Sequence, residues 1–175
     1  EDTTNLLQQL PIFSNRVAMQ KANETILSLI YEVNQQECFY AWKNGGAFLN
    51  GDPIRVSQNA HLENALLATG FPFYDYERTK AYLYILEQFI RQTRGLRRFG
   101  SAAVDLAYVA CGRFDAFYEY SLSPWDVAAG AFLVQEAGGR VTDFQETDGY
   151  LFGKEIIASS SSLYPEVLKV IKTAF

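Results

Sequence analysis

Trp125 to Gly139 form the sequence WDVAAGAFLVQEAGG, and the rest of the chain can be organised around it. Its alanine-rich composition predicts a helix over residues 125–137 that ends at the two glycines. The small residues at 128–131 allow this helix to pack closely on its neighbours. Such packing would hold Asp126, in the first turn, in a fixed position.

Two carboxylates lie at the start of this helix and just before it. Residues 114–120 read as a strand, so Glu119 lies at the end of a strand and Asp126 follows after a short loop. An aspartate in a first helical turn commonly does no more than interact with the helix dipole. Carboxylate oxygens are also ligands of Mg²⁺, a hard cation that keeps several of its waters. This segment alone leaves both interpretations of Asp126 open.

Gly100, Ser101 and Ala102 join a short strand at 96–99 to a helix predicted over residues 102–111. Ser101 is a suitable N-cap for this helix. The N–H groups of a first helical turn have no acceptor within the helix, so they can bind phosphate or another anion. An ordinary capped helix is the commoner structure, and the segment fits both.

The remaining chain predicts layers of strands and helices. Strands are expected at 14–20, 25–33 and 37–42, followed by a hairpin at Asn50-Gly51, because both central residues of such a turn tolerate positive φ. Further strands are expected at 140–143 and 155–159, and helices at 77–91 and 165–174. A meander followed by alternating strands and helices indicates a layered α/β or α+β architecture.

The composition excludes several classes of function. The chain is 49% hydrophobic with a formal net charge of -5, which argues against binding to a nucleic-acid backbone or an anionic membrane. It has one histidine, His61, in a polar turn expected at the surface, so histidine-centred metal sites are excluded. No apolar run approaches the ~20 residues of a membrane span. Cys38 and Cys111 are expected to be reduced thiols of a cytoplasmic protein.

Asp2-Thr3-Thr4-Asn5 opens the chain. It reads either as a polar terminus or as part of an active-site loop. In the second interpretation a hydroxyl beside a carboxylate holds a metal-bound water.

These segments together resemble the inositol monophosphatase family, whose patterns include W-D-x-A-A-G…E-A-G-G, G-[ST]-A-A and D-P-x-D-G-T-T-N. The matching segments, in the family's order, are Thr3-Thr4-Asn5, residues 45–51 with 54–57, residues 100–103, and residues 125–130 with 136–139. The resemblance covers essentially the whole chain. It implies an α/β fold, a layered αβαβα-like sandwich of the sugar-phosphatase type with mixed and antiparallel sheets.

The resemblance also implies a single domain over residues 1–175 that is incomplete at its N-terminus. Residues 1–70 would be mainly a β-meander, and residues 71–175 would alternate helices and strands and carry most of the substrate and metal residues. A homodimer is expected by analogy.

The implied activity is Mg²⁺-dependent, Li⁺-sensitive hydrolysis of a small phosphorylated polyol, with inositol monophosphate as the first candidate. The implied roles are catalytic for Thr3 and Asp126, metal-binding for Asp2 and Asp126, and substrate-binding for Thr4, Gly100, Ser101, Ala102 and Glu119. Fructose 1,6-bisphosphate and a 3′-phosphoadenosine nucleotide are alternative substrates.

The chain departs from the family pattern at its start. Glu1-Asp2 stand where the motif has Asp-Gly, and either Glu1 or Asp2 can correspond to the motif carboxylate. Two further family ligands, a Glu and an Asp, are absent. If the 175 residues are the whole molecule, the metal site is expected to be incomplete and the activity low. A member that binds a ligand or partner without turnover is therefore a third alternative.

Overall fold

The computed structural model describes residues 2–72 and 76–175. The first sheet is an antiparallel meander of five strands in chain order. Asn50 and Gly51 form its last tight turn with φ of 50° and 98°, as the sequence predicts. The strands are β1 (Ser14–Lys21), β2 (Glu24–Glu32), β3 (Glu37–Trp42), β4 (Gly46–Leu49) and β5 (Asp52–Ile54).

The second sheet is mixed. Its strands are β6 (Leu66–Thr69), β7 (Gly95–Arg97), β8 (Ala116–Tyr120), β9 (Gly139–Thr142) and β10 (Glu155–Ser160). They lie in the order β7-β6-β8-β10-β9. β6 is parallel to both β7 and β8, whereas β10 is antiparallel to β8 and β9. The expectation of antiparallel and mixed sheets is confirmed.

Five α-helices lie in the described residues. They are α1 (Asp2–Leu7), α2 (Thr79–Gln92), α3 (Ala102–Ala110), α4 (Pro124–Glu136) and α5 (Tyr164–Ile171). Two 3-10 helices cover Leu62–Asn64 and Asp148–Leu151. The sequence predicts α2 to α5 to within three residues at each end, whereas α1 is a helix where a loop was expected. No helix in the described part of the chain is long and apolar enough to cross a membrane.

The first hydrophobic core lies between the two sheets and surrounds α3 and α4. Its buried residues include Ile30 and Phe39 from the first sheet, Leu106 and Leu133 from the helices, and Phe117 from β8. Complete burial of one such side chain contributes about 1.5–3 kcal/mol. The two helices therefore form a middle layer, which fixes their N-terminal ends relative to the strands.

The second core lies on the opposite face of the second sheet, against α2 and α5. It contains Tyr82 and Phe89 from α2, Val167 from α5, and Tyr118 and Ile157 from the sheet. Consecutive strand residues point to opposite faces, so β8 supplies one core with Phe117 and the other with Tyr118. The layers run sheet, helices, sheet, helices, which confirms the layered α/β fold.

Candidate active site at the carboxyl ends of three parallel strands

The parallel strands β6, β7 and β8 end at the same edge of the second sheet, because parallel strands share one direction. The segments that follow β6, β7 and β8 carry Gly70, Gly100 with Ser101, and Asp126, and Glu119 is the last but one residue of β8 itself. The carboxyl edge of parallel strands is where ligands commonly bind in open α/β sheets. Short β6 was not predicted, since Leu66-Leu67-Ala68-Thr69 has no alternation to identify it.

Ser101 is the N-cap of α3, as the sequence predicts. Its backbone is extended and its hydroxyl accepts a hydrogen bond from the Val104 N–H at 3.3 Å. Gly100 precedes it with φ of 79°, a conformation that favours glycine. Gly100, Ser101 and Ala102 are all buried, and Ser101 is completely inaccessible. The Ser101 hydroxyl is therefore committed to the cap, and an anion bound by this segment would have to be held by backbone N–H groups.

Asn5 joins the beginning of the chain to this segment. Its side-chain amide is buried and donates to the carbonyl oxygens of Phe99 and Ile12, both at 2.8 Å. A Cβ added to Gly100 would lie 3.2 Å from the Asn5 amide, so the two segments are in direct contact. Asn5 is only the last residue of the Thr-Thr-Asn motif in the sequence, and the motif does not reveal that it anchors this segment.

Thr3 and Thr4 lie on α1 and both are exposed. The Thr4 carbonyl accepts a hydrogen bond from the Gln8 N–H at 3.1 Å, which continues the helical turn. The side chain of Asp2 and the whole of Glu1 lie outside the described residues. The question of which one corresponds to the motif carboxylate therefore stays open.

Glu119 is buried near the end of β8, with 1% of its surface exposed. Its carboxylate lies against Gly70, where an added Cβ would come within 2.2 Å of both oxygens. The Tyr82 hydroxyl donates a hydrogen bond to the Gly70 carbonyl and also contacts the Thr69 hydroxyl. Gly70 is therefore held on one side by a core tyrosine and faces the carboxylate on the other. This close approach explains the glycine, which the sequence analysis did not single out.

Asp126 accepts hydrogen bonds through both of its carboxylate oxygens. Oδ2 accepts from the Ser123 N–H at 3.0 Å, which forms the capping box of α4. Oδ1 accepts from Nη2 of Arg16 on β1 at 3.0 Å. The Arg16 Nε donates to the Trp125 carbonyl at 2.8 Å. Arg16 was missed because 109 or more positions separate it from these partners in the chain.

The described residues do not fit a Mg²⁺ ion as they are arranged. No group of three or more Asp, Glu, His or Cys side chains among them is positioned to hold a metal. Asp126, the one described ligand from the sequence analysis, has a guanidinium on one oxygen and a backbone N–H on the other. Mg²⁺ requires several oxygen ligands in near-octahedral geometry, which one occupied carboxylate does not supply.

Comparison with known proteins gives one consistent family. The profile described as "Inositol monophosphatase family" matches residues 2–174. An inositol-1-monophosphatase of Caulobacter vibrioides is 40% identical over 177 residues, covering 99% of this chain and 69% of its own length. A Nus factor SuhB of Pseudomonas aeruginosa is 42% identical over 174 residues, covering 98% of this chain and 64% of its own.

Solved structures give the same result. The crystal structure of extragenic suppressor protein suhB from Bartonella henselae superposes with a TM-score of 0.95 at 37% identity, covering all of this chain and 67% of that protein. The chain thus spans about two thirds of the length of the proteins that it matches.

Proposed function

This chain belongs to the inositol monophosphatase family, and we propose that its protein hydrolyses a phosphate monoester of a small polyol. The observation that carries the proposal is the position of Glu119 at the same sheet edge as the N-terminus of α3. The Glu119 carboxylate accepts hydrogen bonds, as a polyol hydroxyl can donate them. The N-terminus of α3 presents backbone N–H donors, which suit a phosphate anion. A phosphorylated polyol has both groups.

Inositol monophosphate is the substrate that we propose first. The Glu119 carboxylate would accept a hydrogen bond from a hydroxyl of the leaving group, which favours a polyol over a 3′-phosphoadenosine nucleotide. The backbone of Gly100, Ser101 and Ala102 would lie along the substrate. Fructose 1,6-bisphosphate also has hydroxyls and is the closer competitor.

The remaining roles come from the family resemblance. Thr4 would approach the phosphate through its backbone, and the Thr3 hydroxyl would orient the attacking water. The exposure of both residues on α1 is compatible with contact to a ligand. We also propose, on analogy alone, that the protein forms a homodimer.

Magnesium is the cofactor that the family resemblance implies, and in such enzymes it activates water and stabilises the leaving oxygen. The proposed ligands in this chain are Asp2 and Asp126. Because the described residues do not fit the ion as they stand, we assign no step of the reaction to it. Turnover would require carboxylates beyond those residues and release of Asp126 from Arg16.

The ion pair between Arg16 and Asp126 favours a second candidate function, which is binding of a phosphorylated ligand or a partner without turnover. A carboxylate that is already neutralised by an internal cation is poorly prepared to bind a metal. Relatives named Nus factor SuhB carry a name that does not refer to phosphate release, which is compatible with this candidate.

The test is release of phosphate from inositol 1-phosphate by the 175-residue chain. Phosphate release is measured with and without Mg²⁺ and with added Li⁺. Fructose 1,6-bisphosphate and 3′-phosphoadenosine 5′-phosphate are assayed in parallel as alternative substrates. Mg²⁺-dependent, Li⁺-sensitive turnover supports the phosphatase, and the preferred substrate identifies its subclass. Calorimetric binding of inositol 1-phosphate without turnover selects the ligand-binding form of the second candidate. Absence of both binding and turnover with all three phosphates contradicts the phosphatase and the ligand-binding candidates for this chain, and leaves only the binding of a partner.

Two variants connect the result to the site. Glu119→Gln keeps the side-chain shape but replaces one acceptor oxygen by an amide donor. It should therefore weaken the binding of inositol 1-phosphate more than the binding of a phosphate that lacks a polyol. Asp126→Asn removes the charge and should abolish turnover with the fold intact; full activity in this variant excludes Asp126 as a metal ligand.

A further inference from the structure

Arg16 and Asp126 form an ion pair that spans two layers of the fold. Arg16 is the third residue of β1, where it pairs with Ile30 of β2. Asp126 lies in the first turn of α4. Both side chains are 25% exposed, so the pair is partly shielded from water but remains accessible.

The guanidinium is fixed by more than one contact. Nη2 donates to Asp126 Oδ1 and Nε donates to the neighbouring Trp125 carbonyl, so one side of the guanidinium binds two successive residues of α4. Arg16 also makes a further interaction besides these. A planar guanidinium with several bonds in fixed directions loses less freedom per bond than a flexible ammonium would. The cation is therefore held beside the carboxylate.

Arg16 and Trp125, the residue before Asp126, line an open cleft between β1 and α4. The cleft has a volume of about 380 Å³, and its lining includes Arg16, Pro124, Trp125 and Phe152. The Asp126 side chain is itself 25% exposed, so a hydrated cation can reach it without unfolding of either layer. What opposes its binding is the positive charge that is already present, because two cations near one carboxylate repel each other.

We propose that Arg16 is a resident counter-ion that takes the place of a divalent metal on Asp126. In the wild-type chain the guanidinium neutralises the carboxylate, completes the hydrogen bonding of Oδ1 and lowers the affinity of this position for hard cations. Removal of Arg16 then exposes a carboxylate whose other oxygen remains fixed by the capping box. The proposal does not depend on the proposed phosphatase activity, since its measurement is cation binding rather than phosphate release.

The probe is Tb³⁺, a hard cation that seeks oxygen ligands and luminesces when a nearby tryptophan transfers energy to it. Trp125 adjoins Asp126 in the chain, so an ion on this carboxylate is close to a donor. We expect Arg16→Gln to bind Tb³⁺ at least 10-fold more tightly than the wild type. That ratio corresponds to about 1.4 kcal/mol. Excess Mg²⁺ should reverse the signal.

Three controls separate the proposed role from a general change of charge. Arg91→Gln removes one positive charge from the exposed Arg91–Glu87 pair of α2 and should leave Tb³⁺ binding unchanged. Arg16→Lys keeps a cation on β1 and should bind Tb³⁺ within about 3-fold of the wild type. Adding Asp126→Asn to Arg16→Gln should cancel the gain.

The outcomes are distinct. Equal Tb³⁺ affinity in the wild type and folded Arg16→Gln overturns the proposal, as does an equal gain in Arg91→Gln. If Arg16→Gln does not fold, Arg16→Met, which keeps the length of the side chain without its charge, takes its place and must show the same gain. A wild type that already binds Tb³⁺ tightly, and loses it with Asp126→Asn, shows that the guanidinium does not exclude a metal.

Discussion

Gly130 provides a stability test in which two physical effects predict opposite signs. It lies in the interior of α4 and faces Leu106 of α3 in the middle layer. A Cβ added to Gly130 would lie 2.5 Å from the Cβ and 2.7 Å from the Cδ1 of Leu106. The first of these distances is about 0.9 Å shorter than an ordinary carbon contact of 3.4 Å.

The predicted perturbation is Gly130→Ala. Helix propensity alone favours alanine over an interior glycine by about 1 kcal/mol. The overlap opposes this, because the Leu106 Cβ is attached to the backbone of α3 and cannot rotate away. Overpacking costs about 1–3 kcal/mol, and because the Leu106 Cβ is fixed to its backbone we expect a value of about 2–3 kcal/mol here. Against the propensity gain of about 1 kcal/mol, the net loss in the free energy of unfolding is then about 1–2 kcal/mol. For a chain of this size the melting temperature falls by about 2–8 °C.

The assay is urea and thermal unfolding followed by far-UV circular dichroism. Ala128→Gly is the matched control on the same helix. This residue is only partly buried, so the substitution should cost about 1 kcal/mol through propensity alone. Both substitutions are thus expected to destabilise the fold, although one adds a methyl group to α4 and the other removes one. If Gly130→Ala raises the stability by the amount that Ala128→Gly lowers it, the contact between α3 and α4 is not as close as the structure indicates.

Three further predictions concern the neighbourhood of the site. Gly70→Ala introduces a Cβ at 2.2 Å from both Glu119 oxygens, so the carboxylate has to move. The variant should therefore weaken the binding of inositol 1-phosphate measured by calorimetry, and unchanged binding would exclude this contact. Ser101→Ala removes the α3 cap and should lower the free energy of unfolding by about 1 kcal/mol, and a stability equal to wild type would show that the cap contributes nothing. Lys172 and Arg140 hold the pKa of Glu146 below its usual value, so its ionised form stabilises the fold at neutral pH and this contribution is lost as the pH falls through that lowered pKa. Urea midpoints of Glu146→Gln should therefore depend less on pH, on the acid side of the usual carboxyl pKa, than those of the wild type.

Local sequence rules were sufficient for most of the fold. Ser101 as a cap and Asn50-Gly51 as a turn depend on neighbours within a few residues, and both predictions are confirmed. β6 was missed because its four residues are too few to show a period. The segment of α1 was expected to be a polar terminus or an active-site loop, yet it is a helix whose Asn5 donates a hydrogen bond to the Phe99 carbonyl, 94 positions away. Tertiary contacts of this kind are not encoded in a local pattern.

The same limit applies to the site. Motif order selected Gly100, Glu119 and Asp126, and the family that the motifs indicated is the one to which the chain belongs. The sequence could not reveal that Gly70 accommodates the Glu119 carboxylate or that Arg16 binds Asp126, because each contact joins separate elements of the fold. The roles of Gly100, Glu119 and Asp126 in binding and catalysis stay predictions. The chemical state of a motif residue depends on its spatial partners, which the motif does not include.

Asp126 has a structural role that complicates every experiment on its chemical one. Its Oδ2 caps α4, so Asp126→Ala would lose about 1 kcal/mol of helix stability as well as any bound metal. Loss of activity in such a variant would therefore not distinguish a broken helix start from a missing ligand. Arg16 contacts Oδ1 and the Trp125 carbonyl but takes no part in the cap. Substitution of Arg16 changes the charge at the carboxylate while the Ser123 bond remains, which makes Arg16 the more informative residue for deciding whether Asp126 can bind a metal in this chain.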